Sequence, residues 1–474
     1  MAKYRCIVCE FIYDEERNDS LWVDIPDSWV CPVCGSPKKL YEKVEEVPAL
    51  AAMSSASNGD EEGVPGNDAD TSLQRNTDEI ETYMTDIHQM AESGESITEP
   101  MRTRKPTFSW DELLIKGAQL ATLPLNKEEK VVTETVIGPD AEKPLVIQSP
   151  VYITHMSFGA LSPEAKTALA RGSAAAKTAM CSGEGGILPS SLDNSYKYIF
   201  EYVPNRYSVT EENLKRVDVI EIKFGQSAKP GMGGYLPGEK VTREIAAIRG
   251  FKPGESITSP SKFEDIRNRE DLKKKIEWLR DISEGRPIGV KFAAGNIEAD
   301  LEAALFAGPD FVTMDGRAGA TGAAPKYVKA STSVPTIFAL HRARKFLDEN
   351  GAKKVSLIIT GGIRVSADIA KALALGADAV AIGTAALMAI GCQQYKICNT
   401  GKCPMGIATQ DPALRINLKV DKAARRLENF LNVTTKELKD FSRLTGNNSV
   451  HDLSVADLCT VNSEISNFTS VEHV

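Results

Sequence analysis

The sequence predicts an α/β chain: a (β/α)8 TIM barrel, preceded by a small metal-binding module and followed by a helical tail. Three observations predict it. From about residue 145 onward, eight short apolar runs alternate with amphipathic helical segments, the rhythm of parallel strands joined by crossover helices. Two CxxC pairs, Cys6 with Cys9 and Cys31 with Cys34, bound the first 45 residues. Three further cysteines, Cys392, Cys398 and Cys403, follow the last apolar run, with Pro404 directly behind them.

Composition sets the limits. A chain of 474 residues accommodates one large domain and a small one. A hydrophobic content of 42% with 26% charged residues is ordinary for a globular protein. The formal net charge of -9, without a basic stripe, argues against a nucleic-acid partner. No stretch reaches the roughly 18 apolar residues of a membrane span. The nearest, 379–391, is shorter and rich in Gly and Ala. The first residues run straight into a cysteine motif, so no secretory signal is expected. Seven of the nine cysteines fall in metal-ligand spacings, as in a reducing cytoplasm. Of the other two, Cys181 and Cys459, the second is expected to be a buried apolar filler.

In chain order, 1–45 read as a compact unit around the two CxxC pairs. Residues 46–102 have linker composition, acidic and Gly/Asp/Asn-rich over 59–70, with one helix expected within 77–91. The barrel spans 103–415, with strands over 145–153, 175–181, 198–203, 219–224, 288–293, 311–314, 356–360 and 379–382. Helices follow most of them, such as 366–375; an open doubly wound sheet is the alternative. The tail, 416–474, should hold two helices, 419–430 and 435–444, the second capped by Thr434 or Thr435. It serves either as an interface between copies or as a cover for the barrel.

Each cysteine group suggests metal chemistry. Four thiolates from two CxxC pairs suit either zinc or a single iron, and spacing alone does not choose. The other three thiols can wrap one face of an iron–sulfur cluster. Two separate thiolate sites are most simply read as stations for electrons. Between them, Gly361 with Gly362, and Gly383 with Thr384, form Gly-rich turns after the last two strands. Either alone reads as a tight turn; together they suggest a phosphate cradle for flavin mononucleotide. Lys291, on the fifth strand, can stabilise negative charge at N1/C2=O of a reduced flavin, or form a salt bridge within the barrel.

The run from Tyr4 to Asp14, with Trp22 and the segment 25–35, resembles rubredoxin along its full length. The resemblance implies iron at Cys6, Cys9, Cys31 and Cys34, with zinc the alternative, over an aromatic core of Tyr4, Phe11, Tyr13 and Trp29. One departure is Glu10, where rubredoxins usually carry a glycine for the tight turn.

Four more segments carry a second resemblance: Met156-Ser-Phe-Gly-Ala-Leu-Ser-Pro-Glu-Ala-Lys, Ser182-Gly-Glu-Gly-Gly, Lys223-Phe-Gly-Gln-Ser-Ala-Lys-Pro-Gly-Met-Gly-Gly-Tyr-Leu-Pro-Gly-Glu-Lys, and the run from Gly391 through Cys403 to Pro412. In this order they resemble the FMN-binding synthase domain of glutamate synthase, over roughly 105–440. The likeness is to the short archaeal-type enzymes, which lack a glutamine amidotransferase domain. Those typically carry a ferredoxin-like module where this chain has a rubredoxin-like one.

The resemblance implies roles. Ser157, Gly159, Arg206 and Lys291 should lie near FMN, with Gly361, Gly362, Gly383 and Thr384 at its phosphate. Cys392, Cys398 and Cys403 should ligate a [3Fe–4S] cluster. Lys223, Gln226, Lys229 and Arg249 should receive 2-oxoglutarate, a dianion that needs two separated cationic anchors. Lys229 and Glu184 are the catalytic candidates; Glu184 either orients or protonates substrate, or pairs with one of these lysines.

Three departures bear on the substrate. Phe263 stands where the family commonly has histidine, Tyr235 near a bacterial glutamine, and Thr167 near a bacterial carboxylate.

The resulting expectation is a cytoplasmic iron–sulfur flavoenzyme. Electrons from an external donor would pass through iron and the [3Fe–4S] cluster to FMN. Hydride would then reduce 2-iminoglutarate, formed from 2-oxoglutarate and ammonia, to L-glutamate. Ammonia would arrive free or from a separate glutaminase subunit. The alternatives are the same cofactors acting on another amino or keto acid, formation of an N-alkylglutamate, or an electron-transfer subunit.

Overall fold

A computed structural model describes residues 2–6, 11–15, 18, 20–32, 37–43, 75 and 77–474. The chain divides into two compact units, Met1–Ile97 and Thr98–Val474.

In the first unit, Lys3–Cys6 is the middle strand of a three-stranded antiparallel sheet, between Ile12–Asp14 and Tyr41–Lys43. So short a sheet buries little, and aromatic rings supply the core. Tyr4 stacks on Trp22 at 4.6 Å between ring centres, and Trp29 meets Trp22 edge-on at 5.6 Å. Tyr13 and Tyr41 complete the cluster. Of the expected aromatic core, Phe11 is only half-buried, while Trp22 is central. Cys6 and Cys31 are both buried, whereas Cys9, Cys34 and Glu10 lie outside the described residues. The helix expected within 77–91 starts later, at Met84–Ser93, and stops at Gly94 in the left-handed conformation.

The second unit is built on a closed eight-stranded parallel barrel. Its strands are β1 (Val151–Ile153), β2 (Ala179–Cys181), β3 (Lys197–Tyr202), β4 (Val219–Lys223), β5 (Ile288–Ala293), β6 (Phe311–Asp315), β7 (Ser356–Thr360) and β8 (Ala379–Ile382). The first predicted run divides in two. Its front half, Leu145–Ile147, pairs antiparallel with Thr135–Ile137 and never enters the barrel. Ile137, Leu145 and Ile147 instead pack against Val219, Phe311 and Ala379 at the strand starts, closing that end with an apolar plug. Apolar residues at one end leave the charged interior positions to the other.

The tail also departs from expectation. Val420–Leu444 is one continuous helix of 25 residues, with no break at Thr434 and Thr435. Thr435 hydrogen-bonds the Leu431 carbonyl one turn back (2.9 Å) and Ser149 Oγ (3.0 Å), so its hydroxyl is satisfied within the helix. The helix packs closely on Pro163–Ala175: a Cβ at Gly172 would sit 2.8 Å from Leu427 Cβ. Beyond it, Leu458–Thr460 pairs antiparallel with Leu113–Ile115, tying the end of the chain to the start of this unit. Cys459 lies on that strand and is half-buried, in contrast to the filler role expected for it.

Candidate functional site

The strand C-terminal ends surround a cavity of about 460 Å³. Its floor is a layer of charge inside the barrel. Glu201 on β3 lies in register with Glu221 on β4, and Lys223 on β4 with Lys291 on β5. Like charges are thus neighbours along each ladder, and opposite charges meet across the interior. Lys291 Nζ lies 3.5 Å from Glu201 Oε1, and Glu221 Oε1 accepts the Thr313 hydroxyl. Burial pulls the Lys291 pKa down, but Glu201, Glu221 and Asp315 outweigh it and hold the ammonium firmly charged.

His155, just past β1, spans both carboxylates. Its Nε2 is 2.8 Å from Glu221 Oε2 and its Nδ1 is 3.7 Å from Glu201 Oε2. Nδ1 accepts the Gly183 N–H at 3.2 Å, so in the neutral ring the proton sits on Nε2, facing Glu221. His155, Glu201 and Glu221 have the donor types of a metal site. With Nε2 protonated, however, the imidazole is not a ligand to a cation there; Nε2 and Glu221 Oε2 are in close ionic contact, and neither atom has a well-aligned hydrogen bond among the described residues.

Above this floor lies the pair Lys223–Glu184, Nζ to Oε2 at 2.5 Å. Burial pushes the Glu184 carboxyl up, but Lys223 outweighs it and leaves the group below its ordinary value. Lys223 also donates to Gln226 Oε1 (2.9 Å), and Gly234 N–H to Glu184 Oε1 (3.1 Å). The loop after β4 is anchored by Ser227, whose N–H and hydroxyl reach the two Asp315 oxygens at 3.0 and 2.9 Å.

Two other cations reach the cavity with donors to spare. Among the described residues, Lys229 Nζ makes a single hydrogen bond, to the Gly233 carbonyl at 2.9 Å, and burial lowers its pKa. Arg249 donates through Nη2 to the Phe158 carbonyl at 2.7 Å, while its buried Nε has no partner among the described residues. Space for this guanidinium comes from glycine: a Cβ on Gly159 or Gly185 would lie 2.9 or 2.8 Å from Nη2.

At the other side of the cavity, Gly361 and Gly362 have φ of 111° and 85°, the left-handed region that favours glycine. A Cβ on Gly361 would stand 2.2 Å from the Gly316 carbonyl oxygen. With Gly383 and Thr384, which line the same cavity, they form a backbone-walled cradle suited to a phosphate. Cys392, Cys398 and Cys403 line the cavity too, and none is in a disulfide. Burial, then the neighbouring Cys403 and Cys392, push the Cys398 thiol up to about 12. Burial raises the Cys392 thiol as well, and three thiols crowded on one cavity wall are suited to cationic iron, which makes thiolate formation favourable.

Residues 80–448 match the family described as a conserved region in glutamate synthase, and residues 3–41 match rubredoxin. The chain belongs to the glutamate synthase family. It is 38% identical over 401 residues to a glutamate synthase large subunit-like protein of Rhizobium meliloti, covering 80% of this chain and 91% of that one. It is also 38% identical over 389 residues to an archaeal-type glutamate synthase [NADPH] of Dehalococcoides mccartyi, covering 78% of each chain. The archaeal glutamate synthase [NADPH] of Methanocaldococcus jannaschii is 40% identical over 330 residues, 69% of this chain and 64% of that one. This family member is accordingly a glutamate synthase-like oxidoreductase.

Most family-implied residues converge on the one cavity: Ser157, Glu184, Lys223, Gln226, Lys229, Arg249, Lys291, Gly361, Gly362, Gly383, Thr384 and the three late cysteines. Arg206 does not. It is half-exposed and pairs with Asp265 at 2.9 Å, away from the lining. Gly159 acts by making room for Arg249. Of the three departures, only Tyr235 lines the cavity. Phe263 is buried between Tyr202 and Phe224, and Thr167 bonds within its own helix to the Pro163 carbonyl.

Sequence reading missed His155, Glu201, Glu221 and Asp315. A signal existed, since a lone carboxylate inside an apolar strand, as in the β3 and β4 sequences, must either pair or face a cavity. It also missed Lys166, buried and pinned to the carbonyls of Met156, Cys181 and Ser182 at 2.9, 3.0 and 2.8 Å.

Among the described residues, no helix is long and apolar enough to cross a membrane.

Proposed function

We propose that this chain converts 2-oxoglutarate and ammonia to L-glutamate, with FMN in the cavity, a [3Fe–4S] cluster at Cys392, Cys398 and Cys403, and iron at Cys6, Cys9, Cys31 and Cys34. The observation that carries the reading is the arrangement of cations: Lys229 and Arg249 face one cavity with unused donors, while Lys223 is already paired. A five-carbon dicarboxylate needs two such anchors, and a guanidinium binds one carboxylate in bidentate fashion.

Glycine-walled Gly361, Gly362 and Gly383 would hold the cofactor phosphate, and Lys291 would face its negatively charged edge when reduced. When bound, FMN would supply hydride to the imine carbon, and the metal centres would supply electrons one at a time. The residues do the rest. Lys229 and Arg249 would hold the carboxylates. Lys223 and Glu184 share a proton line at 2.5 Å, with the proton on Lys223, placed to move toward substrate nitrogen or oxygen. An external reductant completes the balance: two electrons and two protons are consumed per imine reduced.

The test is to photoreduce the holoenzyme anaerobically and mix it with 2-oxoglutarate and ammonium. Flavin reoxidation with one glutamate per flavin, measured by mass spectrometry, is the expected result. Reoxidation only with a primary amine or a different keto acid would replace this reading with the N-alkylglutamate or other-substrate alternative. Reoxidation by no acid would leave an electron-transfer role.

A further inference from the structure

We propose that Lys240 sets the reduction potential of the cluster held by Cys392, Cys398 and Cys403, an inference that rests on the cluster reading above. Lys240 ends the short turn Gly238–Lys240 in the segment that also presents Leu236 and Pro237 to the cavity. Its side chain leaves that segment and crosses to the cysteine loop, where Nζ donates to the Cys398 carbonyl at 2.6 Å. The residue is only 6% exposed.

Two features make this more than a chance contact. The first is charge. Lys223 and Lys291 have carboxylates, Glu184 and Glu201, whereas Lys166 and Lys229 rest on backbone carbonyls that belong to the barrel strand ends and loops. Lys240 has no carboxylate among the described residues; the potential anions acting on it are the thiols of Cys398 and Cys403. A buried ammonium without a counterion is costly, so its partner is the anionic cluster itself. The second is space. Gly401, inside the cysteine loop, has φ of 74°, and a Cβ there would lie 3.1 Å from Lys240 Cε. The cysteine loop is shaped to let the lysine stem pass.

Nζ has three N–H donors and uses one on the carbonyl. The other two have no acceptor among the described residues, and Lys240 lines the same cavity as the three cysteines. A cluster bound by three thiolates gains one negative charge on accepting an electron. A fixed cation with N–H groups beside it favours that reduced state and raises the potential. The same side chain ties the segment carrying Leu236 and Pro237 to the metal site.

The test is an EPR-monitored redox titration of the holoenzyme, wild type against K240M, with K240R as the conservative variant. The expected result is an intact cluster signal in K240M with a lower midpoint. The reduced-to-oxidised ratio at fixed potential should fall at least tenfold, equivalent to 59 mV for one electron. K240R should restore most of the shift. An intact cluster with an unchanged midpoint in K240M overturns the proposal. Loss of the signal in K240M but not in K240R also overturns it, assigning Lys240 to cluster assembly instead. Absence of any cluster signal in the wild type overturns the cluster reading itself, a different failure from either of these.

Discussion

Lys223 Nζ sits 2.5 Å from Glu184 Oε2, two largely enclosed side chains from different strand ends locked together inside the cavity. Burial alone would favour the neutral forms, but each partner holds the other charged. Glu184 titrates below its ordinary 4.5 and Lys223 above its ordinary 10.5. The contribution of Glu184 is therefore present above about pH 4.5 and lost as pH falls through its lowered value. That of Lys223 is present below about pH 10.5 and lost as pH rises through its raised value.

Breaking this pair should cost about 3–5 kcal/mol, because it strands a buried charge. E184Q should unfold at clearly lower denaturant at pH 7.5, and the double variant E184Q/K223M should recover part of the loss. A double variant whose loss equals the sum of those of E184Q and K223M would show the two groups to be uncoupled.

Arg206 and Arg249 give opposite expectations. The Arg206–Asp265 pair is half-exposed, and such pairs are worth about 0–1 kcal/mol. R206A should leave 2-oxoglutarate binding within about fivefold. Arg249 is buried at the cavity, so R249M should weaken binding by roughly thirtyfold or more. Calorimetric titration of 2-oxoglutarate against each variant separates them; comparable losses would return Arg206 to the site.

Tyr235 lines the cavity and is about half exposed, whereas Phe263 is enclosed by Tyr202 and Phe224. Y235Q should alter the ratio of kcat/KM values across a panel of keto acids and amines. F263H should instead lower stability by about 1–3 kcal/mol through an unsatisfied buried polar group, with the panel ratios unchanged. A selectivity change in F263H would contradict this placement.

Gly361 has no room for a side chain, given φ of 111° and the Gly316 carbonyl oxygen 2.2 Å from its would-be Cβ. G361A should purify with less than about a tenth of its flavin, since the cradle must open to relieve the clash. Gly308 is the control: its φ is also positive, at 74°, but nothing lies within 4 Å. G308A should cost about 1–2 kcal/mol and keep its flavin, measured by absorbance against protein concentration.

The metal centres should be separable. C398S should lose the cluster signal and keep the visible absorption of a ferric four-thiolate centre, while C31A should do the reverse. A C31A protein with an unchanged visible spectrum would point to zinc in the N-terminal site.

Much of this was legible in the sequence because period and spacing are local properties. β4 through β8 were placed closely by their apolar runs. The 145–153 run misled because a strand plugging a barrel and a strand forming its wall have the same composition. The break expected at Thr434 and Thr435 is absent because the Thr435 hydroxyl bonds within the helix and to the distant Ser149. Arg206 misled for a related reason: a segment can match a family while one side chain turns outward.

The amino-acid sequence by itself determined the strand rhythm, the cysteine spacings and the glycines that need left-handed or crowded positions. Each is a property of a few consecutive residues and of backbone sterics. Only the tertiary structure decided which charges meet. It pairs Lys223 with Glu184, leaves Arg249 and Lys229 with spare donors, sets His155 between Glu201 and Glu221, and carries Lys240 to Cys398. Those partners are tens to hundreds of residues apart, and closure of the barrel brings them into one low-dielectric interior, where a few ångströms determine which charge is paired and which remains for substrate.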